Sequence, residues 1–108
     1  MLDGIPEKGT PMSTLHIENT VEDYDTWKAA FDKYDRVRHD NGVLAYRITR
    51  GDADPRQVYV DLDFAGRAQA EAFAVVLERI LRSPQSRAVS AAHRPPEFRE
   101  VAEHRTLG

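Results

Sequence analysis

Val58-Tyr59-Val60-Asp61-Leu62-Asp63-Phe64 alternates strictly between apolar and polar side chains. Successive side chains of a strand point to opposite faces, so this stretch is a strand with one face on a core and one away from it. Outward from it, the chain states one pattern twice. A short alternating segment, Leu15-His16-Ile17-Glu18, leads to an amphipathic stretch from Tyr24 to Asn41 and to a second strand from Val43 to Arg50. The strand at 58–64 is followed by a helical stretch from Arg67 to Leu81 and a last strand from Phe98 to His104. The order βαββαβ predicts an α+β, ferredoxin-like fold: a four-stranded antiparallel sheet with both helices on one face.

The local signals agree. Asp23 is placed to cap the first helix, because its carboxylate can accept from the free N–H groups of the first turn. Tyr24, Trp27, Phe31 and Tyr34 recur at spacings of three and four and form one stripe, with Ala30 and Val37 beside it. Arg36, Arg38 and His39 sit at the negative end of that helix, and Gly42 is suited to close it in the left-handed conformation. Gly51-Asp52-Ala53-Asp54-Pro55 is a turn joining the second and third strands. Phe73, Val76, Leu77 and Ile80 are the buried side of the second helix, which has only Gly66 as a weak cap. Ser83-Pro84 predicts a short third helix over 84–91, and His93-Arg94-Pro95-Pro96 an extended linker. Residues 1–12 carry two glycines and two prolines without periodicity, and are expected to be a tail outside a single domain at 13–108.

At 108 residues the chain is long enough to bury roughly 65% of its unfolded surface. It has no cysteine, which excludes disulfides, thiol catalysis and thiolate metal sites. Fifteen basic and 18 acidic residues are interspersed for a net charge of −3, so no basic face offers itself to nucleic acid. No apolar run reaches the roughly 20 residues that span a bilayer, and no signal peptide is recognisable. A cytoplasmic location is the expectation.

The polar side of the central strands is where chemistry is expected. Leu15 and Ile17 turn to the core, so His16 and Glu18 turn away from it, beside Tyr59, Asp61 and Asp63 of the neighbouring strand. Tyr46 and His104 are expected to join them, although the last strand reads both ways: Phe98 and Ala102 argue for one parity and Val101 for the other. Leu44, Tyr46, Ile48 and Tyr59 would make the same face apolar enough to pack against a second copy, leaving the polar groups around a cavity between subunits. There His16 is the candidate acid–base residue and Asp61 the group that orients it. Glu18, Tyr46, Tyr59, Asp63 and His104 are candidate substrate contacts. The alternative is a cross-strand hydrogen-bonded cluster with no catalytic role. A site built from His16, Glu18, Asp61 and His104 would hold a metal, but the spacing has nothing diagnostic of one, and neither metal nor cofactor is expected.

His16-Ile17-Glu18, the run from Val21 to Lys28, Gly42-Val43 and Asp61-Leu62-Asp63-Phe64 resemble the dimeric α/β-barrel superfamily over roughly residues 13–104. Within it the chain is most similar to small actinobacterial proteins called cyclases by analogy, near the antibiotic-biosynthesis monooxygenases. The resemblance implies a homodimer with facing sheets, a small-molecule cavity, and cofactor-independent monooxygenase- or cyclase-like action on aromatic or polyketide-type compounds. A non-catalytic binding or assembly module is the alternative, since the superfamily includes proteins without known activity. The Asn, Trp and His set of its haem-degrading members has no matching positions here, so no catalytic residue is carried over.

Overall fold

The computed structural model describes residues 11–108; most of the expected tail, residues 1–10, lies outside the described residues. The elements are β1 (Ser13–Val21), α1 (Tyr24–Asp32), α2 (Asp35–Asp40), β2 (Ala45–Arg50), β3 (Gln57–Phe64), α3 (Arg67–Arg82), α4 (Pro84–Val89), β4 (Ser90–His93) and β5 (Glu97–Glu100). The sheet is antiparallel, in the order β2-β3-β1-β4, with β5 also on β1. Alternation does in β1 and β3 what it predicts. Leu15, Ile17 and Val21 from β1 and Val58, Val60, Leu62 and Phe64 from β3 are buried with Trp27, Ala70, Phe73 and Leu77 from the helices. Burying side chains of this size stabilises the fold by about 1.5–3 kcal/mol each.

Three local features depart from the expected layout, and each has a physical cause. The first helix is broken after Asp32. There Lys33 and Tyr34 donate to Ala30 and Phe31, a tightening to three-residue turns. The Phe31 carbonyl is also taken by the Arg38 side chain, whose Nη2 donates to it at 2.6 Å. Arg38 thereby holds the end of α1 while starting from α2. Gly42, at φ +92°, then turns the chain toward β2 in the conformation that glycine tolerates best. At the start of α1, Asp23 accepts from Thr26 N at 2.9 Å, as expected of its cap position.

The second departure is in the last strand, which forms two pieces. Proline offers no N–H, so Pro95-Pro96 interrupts the ladder to β1. Asn19 stands opposite His93 and His16 opposite Glu97, so four steps on this side match three on β1. This one-residue excess, a bulge, reverses the parity. Phe98 consequently stands opposite Leu15 and packs on the core, with Arg67 lying 4.1 Å over its ring. The sheet has five strands for this reason, where four were expected. Further, α4 ends at Val89, because residues 90 and 91 enter β4.

The third concerns β2. Directly opposed residues of an antiparallel pair share a face. Tyr46 stands opposite Leu62 and Ile48 opposite Val60, which puts both on the helix side, not the open side. The tight turn to β3 fixes this register; at its corner, a Cβ on Gly51 would fall 2.8 Å from the Asp54 carbonyl. Among the described residues no helix is long and apolar enough to cross a membrane.

Candidate functional site

The open sheet face does gather most of the residues predicted for it. His16 stands opposite Asp61, Glu18 opposite Tyr59 and Thr14 opposite Asp63. Both imidazole nitrogens are engaged: Nδ1 lies 2.6 Å from Asp61 Oδ1 and Nε2 3.1 Å from Glu18 Oε2. The Tyr59 ring stacks beside the imidazole at 6.2 Å and 14°. Asp63 accepts from the Thr14 hydroxyl at 2.8 Å, and Arg94 Nε approaches the second Glu18 oxygen at 3.7 Å. His16 is only 9% exposed within the single chain. The two carboxylates approach opposite sides of the ring, and among the described residues no group of three or more such side chains converges as metal ligands.

Two predicted members are elsewhere. Tyr46 is on the helix side, where its ring meets Phe31 edge-on at 5.2 Å and the Arg38 guanidinium at 5.5 Å. His104 lies four residues past the end of β5 and is exposed; β5 runs away from His16, toward Ser13, so the chain beyond it leaves the cluster behind. With Tyr46 and Ile48 turned inward, β2 contributes Ala45, Arg47 and Thr49 to the open face. Glu97 and Arg99 join from β5, paired to each other at 2.7 Å. The face is polar, and the expected apolar patch is absent from it among the described residues. None of the three described cavities is lined by His16, Glu18, Tyr59 or Asp61.

A partly open cavity of about 70 Å³ occurs on the other side of the sheet, between β1, β3 and the helices. Its wall is mainly apolar, with Trp27 and Phe31 from α1 and Phe73 and Leu77 from α3, but it includes two polar residues, Asn19 and Arg38. Asn19 is 5% exposed and Arg38 6%. Asn19 Oδ1 and Arg38 Nε are sealed from solvent without a hydrogen-bond partner. Leaving such an atom unpaired costs about 1–3 kcal/mol, and more for a charged group. One acceptor and one cationic donor thus stand unsatisfied around the same apolar space.

Arg38 is held rigidly there. Its guanidinium lies 3.6 Å over the Phe31 ring, its Nη2 bonds the Phe31 carbonyl, and Asp35 approaches at 3.6 Å from the surface. Burial pushes its pKa below the ordinary arginine value, and the nearby Asp35 carboxylate offsets part of that shift. An arginine stays charged regardless, so the cavity wall carries a poorly solvated positive charge.

Sequence reasoning assigned neither residue to a site, although both left a signal. Asn19 follows Leu15 and Ile17 at intervals of two and precedes Val21, which makes it a polar side chain at inward parity. Arg38 is seven residues after Phe31, two helical turns along the same face.

No protein-family profile matches the chain, and no curated protein matches it in sequence. Solved structures do match in fold. SnoaB from Streptomyces nogalater, a cofactor-independent oxygenase, is 14% identical over 90% of this chain and 97% of its own, with a TM-score of 0.57. A proposed antibiotic biosynthesis monooxygenase from Chloroflexus aurantiacus J-10-fl is 15% identical over 90% and 99%, with a TM-score of 0.61. A dimeric ferredoxin-like protein from an uncultured marine organism is 14% identical over 87% and 98%, with a TM-score of 0.63. The chain has the ferredoxin-like fold shared by these dimeric and antibiotic-biosynthesis-monooxygenase-like proteins.

Proposed function

We propose that this protein is a homodimer that binds a small, oxygen-bearing aromatic molecule in the cavity between α1 and the sheet, and acts on it as a cofactor-independent oxygenase or cyclase. The observation that carries the binding reading is the pair of unpartnered buried atoms, Asn19 Oδ1 and Arg38 Nε, in one otherwise apolar wall. The cavity has the lining of a small-molecule site, mostly apolar with a few convergent polar groups, and buried polar atoms left unpaired call for a partner. Its volume of about 70 Å³ is less than an aromatic ring needs, so α1 and α3 must move apart for the ring to enter. Trp27 and Phe31, stacked on each other at 5.1 Å, add aromatic surface to the wall. Asn19 Oδ1 accepts from a hydroxyl on that ring, and Arg38 stabilises an ionised oxygen.

That arrangement favours the phenolate or enolate form of the ligand. Such a form is electron-rich, and it is the state that reacts directly with dioxygen or closes a ring at carbon. Neither reaction then needs a resident cofactor. SnoaB, which shares the fold, is a cofactor-independent oxygenase, and the dimeric ferredoxin-like neighbours support a homodimer.

The 2.6 Å contact between His16 and Asp61 favours a second reading. In it His16 is the acid–base residue of a cavity completed by the partner sheet, Asp61 orients it, and Glu18, Tyr59 and Asp63 contact substrate. The first reading is preferred because Glu18 already occupies the other ring nitrogen, leaving His16 no free position for a substrate proton.

Trp27 is the only tryptophan in the sequence and lines the proposed site, so its emission reports occupancy. Titration with 1-naphthol is expected to quench it. Arg38→Met, which keeps the apolar stem and deletes the charged donor, should weaken binding at least about tenfold. His16→Ala should leave the quenching unchanged. The reverse pattern, with His16→Ala abolishing binding and Arg38→Met harmless, would overturn the cavity reading and support the sheet-face site.

A further inference from the structure

Beyond α3 lies a second, open groove of about 760 Å³, bounded by the end of α3, α4 and the two pieces of the last strand. It shares Leu81, Ser86 and Ser90 with the smaller cavity, while Asn19, Trp27 and Arg38 take no part in it. Its volume falls within the range of sites that hold drug-sized molecules.

The lining is two-sided in character. Leu81, Pro96 and Phe98 supply apolar surface, and Arg82, Arg87 and His93 supply the cationic or potentially cationic groups. Glu78 is the one carboxylate among the lining residues, and it is held by Arg82 at 2.9 Å, one helical turn along α3. The pair cancels locally. Arg87 has no ion pair among the described residues, and neither has His93; both are exposed at the groove. The net field of the groove is therefore positive over an apolar floor.

We infer that this groove is a binding site for an apolar organic anion, an aromatic carboxylate or sulfonate, with the ring on Leu81 and Phe98 and the charged end at Arg87. A neutral ligand would gain the floor but not the cation, and a compact inorganic anion the cation but not the floor. His93 lines the same groove and offers a second donor. An arginine suits the role because its planar fork meets both oxygens of a carboxylate or sulfonate.

The test uses two dyes that differ by one charged group. 8-Anilinonaphthalene-1-sulfonate carries the sulfonate, and N-phenyl-1-naphthylamine is the same aromatic body without it. The wild-type protein should bind the anionic dye, and more weakly as salt rises. Arg87→Glu, which removes an exposed attraction and adds a repulsion, should weaken it about tenfold. Arg87→Lys, which keeps the charge but loses the planar fork, should give an affinity between those of the wild type and Arg87→Glu, and the neutral dye should change by less than about twofold in either variant. Arg87 is exposed on a six-residue helix, so circular dichroism of the variants is expected to match the wild type.

Asn19→Leu separates the two sites: it alters the smaller cavity and should leave the anionic dye bound as before. Equal weakening of both dyes by Arg87→Glu would overturn the proposal. So would loss of the anionic dye in Asn19→Leu, or its failure to bind the wild-type protein.

Discussion

Asn19→Leu puts the reasoning about the cavity beside α1 at greatest risk, because it makes stability and binding move in opposite directions. Leucine has the same branching and the same number of side-chain heavy atoms as asparagine, so the substitution needs little rearrangement. It deletes Oδ1, which is buried without a partner in a residue only 5% exposed. Relief of an unsatisfied buried group is worth about 1–3 kcal/mol. The new methyl groups face a cavity of about 70 Å³ walled by Trp27, Phe31 and Leu77, so overpacking should be slight. In a domain near this size each kcal/mol moves Tm by about 4–8 °C. Thermal unfolding followed by circular dichroism should therefore show a Tm raised by roughly 5 °C or more, while 1-naphthol no longer quenches Trp27. A lowered Tm would mean that Oδ1 is satisfied in solution, and the argument for a ligand partner would fall with it. A raised Tm with binding intact would keep the stability argument and remove Asn19 from the site.

Two further outcomes test the frame around the site. The Thr26 backbone N–H, and after it the Thr26 hydroxyl, hold the Asp23 carboxyl below its ordinary pKa. A depressed folded-state pKa stabilises above the unfolded value, near about 3.9, and that stabilisation is lost as pH falls through the folded value. In urea melts across pH, the stability difference between wild type and Asp23→Ala should shrink below about pH 4; a constant difference would refute the cap as its source. Deleting Pro96 makes three steps on this side match three on β1 and so keeps Phe98 opposite Leu15, whereas Phe98→Ala removes the half-buried ring itself. Phe98→Ala should cost about 1.5 kcal/mol in chemical denaturation, and wild-type stability in that variant would show that the ring does not pack on the core.

What the sequence made legible was whatever depends on neighbours in the chain. The parity of β1 and β3, the cap at Asp23, the left-handed turn at Gly42 and the Ser83-Pro84 helix start are all decided within a few residues, and all are present. The features it hid depend on register between distant segments. Tyr46 was placed on the wrong face because the parity of β2 comes from standing opposite Leu62, which the turn geometry decides. Phe98 read ambiguously because a bulge upstream reverses the strand. His104 was carried into the sheet because nothing local marks Glu100 as its end. The His16, Glu18 and Asp61 cluster was legible for the opposite reason: two strands of known parity, side by side, bring those residues together in any register close to this one. The cavity beside α1 was not legible. It arises where α1 stops and Arg38 reaches back over Phe31, a tertiary event that an unbroken 18-residue helix pattern conceals.

The proline pair has a second consequence, for the outer rim of the sheet. A strand with only one neighbour exposes a row of amide hydrogens and carbonyls to which another chain can add. On the β1 side that rim is broken into two pieces of four residues each, and Pro95 and Pro96 withhold two donors between them. At the opposite rim β2 has no such interruption, and Arg47 and Arg50 place positive charge along it. Continuous strand addition is thus discouraged at both margins by different means: missing donors at one and charge repulsion at the other. Growth of this chain into an edge-to-edge ribbon is disfavoured at both rims, and the proposed homodimer needs neither of them.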